Sequence, residues 1–199
     1  PREEETESKF PEIVKNIAII YKQLGQNDMA LAAIETARAS NPDDVGLIIT
    51  AANIYFELDD KEAFKLAMSE AIDKEPNNPI LYYNLGVVSG ELGEKVSART
   101  YYEKSIELDP TNENSYLNLV ALILDAEQEI VNEMNSLGTS KSDNERYDEL
   151  KITREELYKE CVPILKDLIA ISKDIEAIRT LMNIYGTLGD NTGYMEMKN

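Results

Sequence analysis

Apolar and polar positions along this chain recur with a helical period, and no run alternates strictly as a strand would. In residues 79–112, PILYYNLGVVSGELGEKVSARTYYEKSIELDPTN, the residues Tyr82, Leu85 and Gly86 fall on one helical face. Ala98, Tyr102 and Ile106 fall on a second, and Pro110 closes the stretch. Gly93 lies between the two runs, where a helix end calls for left-handed backbone. The pattern predicts two short amphipathic helices joined by a tight turn. It recurs upstream at Ile48, Ala51, Ala52, Phe64, Met68, Ala71 and Pro76, and again at Val14, Ile17, Ala18, Ala30, Ile34 and Pro42. Gly25 marks the earlier turn; Asp59 takes the glycine position in the middle copy, as a residue tolerant of left-handed dihedrals can. Tyr21, Tyr55 and Tyr185 share one repeat position at which 79–112 carries Ser89, a departure that predicts weaker local packing there.

Small residues at Ala18, Ala52 and Gly86, the aromatic positions and the closing prolines together resemble the tetratricopeptide repeat (TPR). That resemblance implies an all-α fold, a right-handed TPR superhelix or α-solenoid of stacked helix pairs. A polar segment over 1–10 is followed by repeats at 11–44, 45–78 and 79–112, an irregular fourth over 113–174, and a partial or capping fifth over 175–199 with a short helix from Thr192. Tyr116, Leu119, Val120 and Ile123 begin the fourth unit in register, and Ile178, Leu181, Met182, Tyr185 and Gly189 place the fifth. The extra length between them reads as a helical-hairpin insertion over about 127–154. Ala126, Ile130, Met134 and Leu137 prolong the outgoing stripe, residues 138–141 signal a turn, and Ser142 with Glu145 fits a capping box. Tyr147, Leu150, Leu157, Cys161, Ile164 and Leu168 form the returning stripe, with Pro163 predicting a kink. At about 1.5 Å per residue, such an arm projects roughly 20 Å.

Charge narrows the partners. The chain has 199 residues, 38 acidic and 20 basic, for a net charge of −18. That surface repels phosphate backbones and anionic headgroups and attracts basic segments, so neither nucleic acid nor membrane is the expected partner. No stretch reaches the roughly 18 consecutive apolar residues of a membrane span. There is no histidine and one cysteine, Cys161. The commonest general base and transition-metal ligand is therefore missing, and no phosphate loop, calcium loop or metal-ligand spacing is present. The expectation is a non-catalytic chain with no cofactor and no metal. A lone thiol suits either redox compartment; the overall pattern is similar to TPR proteins exported by Gram-negative bacteria, so the expected compartment is periplasmic or exported, with the cytoplasm still open.

The resemblance further implies a concave groove, lined by the first helix of each pair, that binds peptides or protein segments. Its sixth and ninth repeat positions here hold Asn16, Thr50, Asn84, Asn118 and Thr180, then Ile19, Asn53, Val87, Ala121 and Asn183. Asparagine offers a donor and an acceptor to a peptide backbone; it also serves packing between repeats, and at any one position either role fits. Ile49, Phe56, Ile80, Tyr83 and Leu117 supply apolar positions, either an amphipathic strip for an extended segment or a partner helix, or contacts buried between repeats. The candidate groove set is thus Asn16, Ile49, Asn53, Tyr83, Asn84, Asn114, Leu117 and Asn118. TPRs that clamp a C-terminal carboxylate use lysine and arginine beside their asparagines. Here Ile49, Asn114 and Asn118 stand at those cationic positions; one repeat earlier Lys15 matches while Ile19 and Thr50 do not. That activity is not expected. The alternative is a self-associating or complex-assembly subunit that acts through the hairpin or the open end of the array.

Overall fold

The computed structural model describes residues 11–198; the polar segment 1–10 and Asn199 lie outside the described residues. Among the described residues every regular element is a helix, ten in all, and the chain divides between Leu92 and Gly93 into two compact units.

The first unit holds α1 (Pro11–Gln23), α2 (Asn27–Ser40), α3 (Val45–Glu57), α4 (Lys61–Lys74) and α5 (Pro79–Glu91). Each helix packs on the next in sequence, and α1 also touches α3. The starts are chemically specified. Proline opens α1 and α5, where its missing amide hydrogen costs no intrahelical bond. Asp44 accepts from the Leu47 amide at 3.1 Å and Asp60 from the Ala63 amide at 3.0 Å, so each aspartate caps its helix. Asp59 has φ 59°, the left-handed conformation that Gly25 adopts at φ 72°. The core is built from Val14, Ala18, Ala30, Ile34, Ala37, Leu47, Ala51 and Ile54, continued by Ala52, Met68 and Leu85. Alanines let the backbones approach while Ile34 and Met68 fill the space between them. Truncating fully buried Ile34 to alanine would cost about 2–5 kcal/mol. The Tyr82 hydroxyl donates to the Pro76 carbonyl at 3.0 Å, tying the closing proline of one repeat to the first helix of the next.

The second unit holds α6 (Lys95–Leu108), α7 (Glu113–Ser136), α8 (Lys141–Ser172), α9 (Ile175–Leu188) and α10 (Asn191–Lys198). Tyr116 repeats the tyrosine bond, donating to the Pro110 carbonyl at 3.3 Å. Helices α7 and α8 have 24 and 32 residues, against 13 or 14 in α1 to α6. They pack against each other extensively. Toward their far ends polar pairing replaces apolar burial: Arg146 forks onto both Glu133 oxygens at 2.7 and 3.2 Å. Nearer the body, Arg154 and the Tyr158 hydroxyl both donate to Glu127.

Several sequence expectations shift here. The capping box is formed by Ser140 with Asp143, not Ser142 with Glu145, because α8 starts at Lys141 and the cap must directly precede it. The buried stripe of α8 is Leu150, Tyr158, Cys161, Leu165 and Leu168; Tyr147 is exposed, and Leu157 and Ile164 are only half-buried. A 3.6-residue period over a long helix drifts, so the face read from the near end misses by one residue further on. Helical structure continues across Pro163, which sits on the exposed side. The last helix starts at Asn191.

Candidate functional site

In the first unit, α3, α4 and α5 enclose a depression of about 230 Å³ lined by Asn53, Phe56, Phe64, Tyr83, Asn84, Val87 and Val88. A second of about 300 Å³ lies between α1 and α3, lined by Ala18, Ile19, Lys22, Thr50, Asn53 and Ile54. Asn53 borders both. Three of the eight candidate residues, Asn53, Tyr83 and Asn84, are therefore brought together. Residues 53, 56 and 49 share one side of α3, and 80, 83, 84 and 87 share one side of α5, as helical spacing requires. Ile49 is half-buried and Asn16 exposed, and neither lines these depressions. Phe64 on α4 and Val87 on α5 complete the wall. Repeat spacing makes Phe64 a packing residue; the fold also turns its ring toward Phe56, with centroids 5.7 Å apart and planes inclined 57°.

Among the described residues the amides of Asn53 and Asn84 have no hydrogen-bond partner. Each keeps a carbonyl oxygen and an NH₂ group to offer. The cations of this unit are arranged differently. Lys15 Nζ lies 2.8 Å from Glu12 and 3.3 Å from Asp44, with its side chain only 17% exposed. Burial pushes its ammonium down, but hydrogen bonds to Glu12 and Asp44 outweigh this and the net direction is up. Gly46 makes room for it: a Cβ there would stand 2.5 Å from Lys15 Nζ. Lys22 lies 2.6 Å from Glu57, and Lys61 3.1 Å from Glu91. The face offers amide hydrogen bonding and apolar contact.

In the second unit Asn114, Leu117 and Asn118 share one side of α7; Asn114 and Leu117 are exposed, and Asn118 is half-buried and engaged by a partner. A depression of about 400 Å³ lies elsewhere, lined by Glu155, Lys159, Val162, Tyr185, Leu188 and Asp190 on and after α8 and α9. It went unread in the sequence because its walls come from helices whose packing no spacing rule supplies. Cys161 is fully buried, and burial, with the Glu160 and Glu127 charges behind it, pushes its thiol up to about 12. It is a core residue, inert as a nucleophile.

Comparison with known proteins agrees with this geometry. No curated protein sequence matches the chain. Among solved structures it is similar to MamA residues 41 to the end from Desulfovibrio magneticus RS-1, with TM-score 0.62 and 13% identity over 94% of this chain and 90% of that one. A Bacteroides ovatus protein superposes with TM-score 0.61 and 20% identity over 91% of this chain and 98% of that one. The first TPR domain of Spaghetti (RPAP3), solved with the HSP90 peptide SRMEEVD, gives TM-score 0.55 and 20% identity over 60% of this chain and 95% of that one. Residues 16–44 and 79–112 each match a family profile described as the tetratricopeptide repeat. The chain thus carries tetratricopeptide repeats at sequence level over 16–44 and 79–112, and its all-helical fold is similar to that of solved tetratricopeptide-repeat proteins.

Proposed function

We propose that this chain is a non-catalytic scaffold that holds a segment of another protein against the α1, α3 and α5 face of its first unit. TPR proteins act generally as protein-interaction scaffolds. The observation that carries the finer reading is the pair of unpartnered amides, Asn53 and Asn84, set at the edge of an apolar depression. A backbone peptide group needs both a donor and an acceptor, and each amide supplies both. The TPR domain solved with a bound peptide supports a peptide as the type of occupant.

Asn53→Ala combined with Asn84→Ala tests this. Proteins retained from a source-cell extract by the immobilised chain are compared with those retained by the double variant, and a retained partner is then titrated. Two lost hydrogen bonds at about 1 kcal/mol each should weaken binding roughly tenfold or more. Equal retention by a folded double variant removes this face from the account.

A second reading rests on the long α7 and α8 pair, whose far half exposes Tyr147 and Ile152 and so presents apolar surface for assembly. Replacing residues 127–154 by a short turn should then dissolve any oligomer seen by light scattering. A chain that is monomeric before and after the replacement discards that reading.

A further inference from the structure

We propose that the depression between α3, α4 and α5 selects its ligand: it takes one bulky apolar side chain from an extended peptide whose neighbouring residues are lysine or arginine. This rests on the reading of that face as a peptide-binding surface. The cavity is about 230 Å³, below the roughly 300–1,000 Å³ of pockets that enclose a drug-sized molecule, and open to the exposed ring of Phe56. A single aromatic, leucine or methionine side chain suits it, packed among Phe56, Phe64, Tyr83 and Val87. Phe56 is held by its tilted contact with Phe64, so the apolar wall is preformed.

Charge decides what flanks that side chain. An acidic segment needs free cations, and Lys15, Lys22 and Lys61 are each engaged with carboxylates of the chain itself. Residues 11–92 hold thirteen acidic side chains against six basic ones. Glu57 and Glu91 end α3 and α5, two of the three helices that enclose the depression. A carboxylate has about four acceptor positions, and each of these glutamates pairs with one lysine here, so each can receive a second cation. A basic flank therefore gains attraction, while an acidic one must displace an existing pair.

The test uses a display library of random heptapeptides selected on the intact chain, with counter-selection on the Asn53→Ala/Asn84→Ala variant. Enriched peptides are synthesised with a fluorescent label and titrated by anisotropy. The expected result is enrichment of Phe, Leu, Met, Tyr or Trp with Lys or Arg within two positions. Phe56→Ala should weaken such a peptide roughly tenfold, as loss of an apolar anchor does. Exchanging the peptide's basic residues for glutamate should weaken it similarly. Glu57→Gln with Glu91→Gln, both at exposed helix ends, should flatten the salt dependence without disturbing helicity. Peptides that require Asn53 and Asn84 yet are acidic, or lack a bulky apolar residue, overturn this inference and leave the binding face standing. Peptides indifferent to Asn53, Asn84 and Phe56, or no enrichment at all, overturn both.

Discussion

Ser89 is fully buried on α5 and its hydroxyl has no hydrogen-bond partner. Helical serines and threonines commonly donate to the carbonyl four residues earlier, as Thr36, Thr50 and Ser172 do here. Ser89 makes no such bond. A buried hydroxyl without a partner costs about 1–3 kcal/mol, and alanine exceeds serine in helix propensity by up to about 0.5 kcal/mol. Against these stands the small void left by one oxygen atom. Ser89→Ala should therefore stabilise the chain by about 1–2 kcal/mol, read as a higher midpoint in guanidinium unfolding followed by circular dichroism, with unchanged slope. Ser105 is the control. It is equally buried, but its hydroxyl accepts from the Ser115 hydroxyl at 2.9 Å, so Ser105→Ala strands a buried donor and should destabilise by about 1 kcal/mol or more. The same substitution thus has opposite signs at two buried serines. A loss at Ser89 matching the loss at Ser105 would refute the reasoning.

Asp59 holds φ 59° where other repeats use glycine, and its side chain is almost fully exposed. Asp59→Gly should raise stability by about 0.5–1 kcal/mol, since relief of left-handed strain exceeds glycine's extra backbone entropy; a lower melting temperature would contradict this. Cys161 gives a pH-dependent prediction. Its folded-state value is raised from 9.0 to about 12, so the folded chain favours the neutral thiol. That contribution is fully present below pH 9.0 and is lost as pH climbs from 9.0 toward about 12. The stability difference between the native chain and Cys161→Ala should shrink across that window, and iodoacetamide at neutral pH should label Cys161 only on unfolding. Rapid labelling of the folded chain would show that α8 does not bury it.

Helix pairs and turns were legible because each is written in short-range chemistry: the left-handed turns fall at Gly25, Asp59 and Gly93, where the repeat pattern places them. The capping box of α8 was not, because the helix already starts at Lys141, inside the turn signal, and Ser140, not Ser142, caps it. The small residues Ala18, Ala52 and Gly86 are buried as their spacing implied. Legibility failed along α8. Over 32 residues the true period departs from any fixed repeat, and the buried residues are Tyr158 and Leu165 where a fixed period gives Leu157 and Ile164. The candidate site was legible only in part. Asn53, Tyr83 and Asn84 follow from repeat register, but Phe64 enters the pocket from the second helix of its pair, through an interhelical angle that no residue pattern encodes.

The groove's chemistry also depends on where the chain's few cations are committed, which composition alone leaves open. By composition alone, a lysine on a binding face counts as free to capture an anion. The opposite holds in the first unit, where acidic side chains outnumber basic ones and helix ends supply carboxylates within reach. Lys15 shows the mechanism. It stands at a position where carboxylate-clamping repeats display a cation, yet Gly46 clears its path to Asp44, the cap of α3, and Glu12 holds it from the other side. A lysine so engaged must give up two partners before it can bind a third, so the loss offsets the gain. What remains for the proposed ligand is amide and aromatic: Asn53, Asn84 and Phe56. Surplus negative charge thus does two things here. On the proposed binding reading, it removes anionic tails from the range of good ligands by occupying the lysines, and it favours a cationic neighbour for the side chain proposed to fill the apolar pocket.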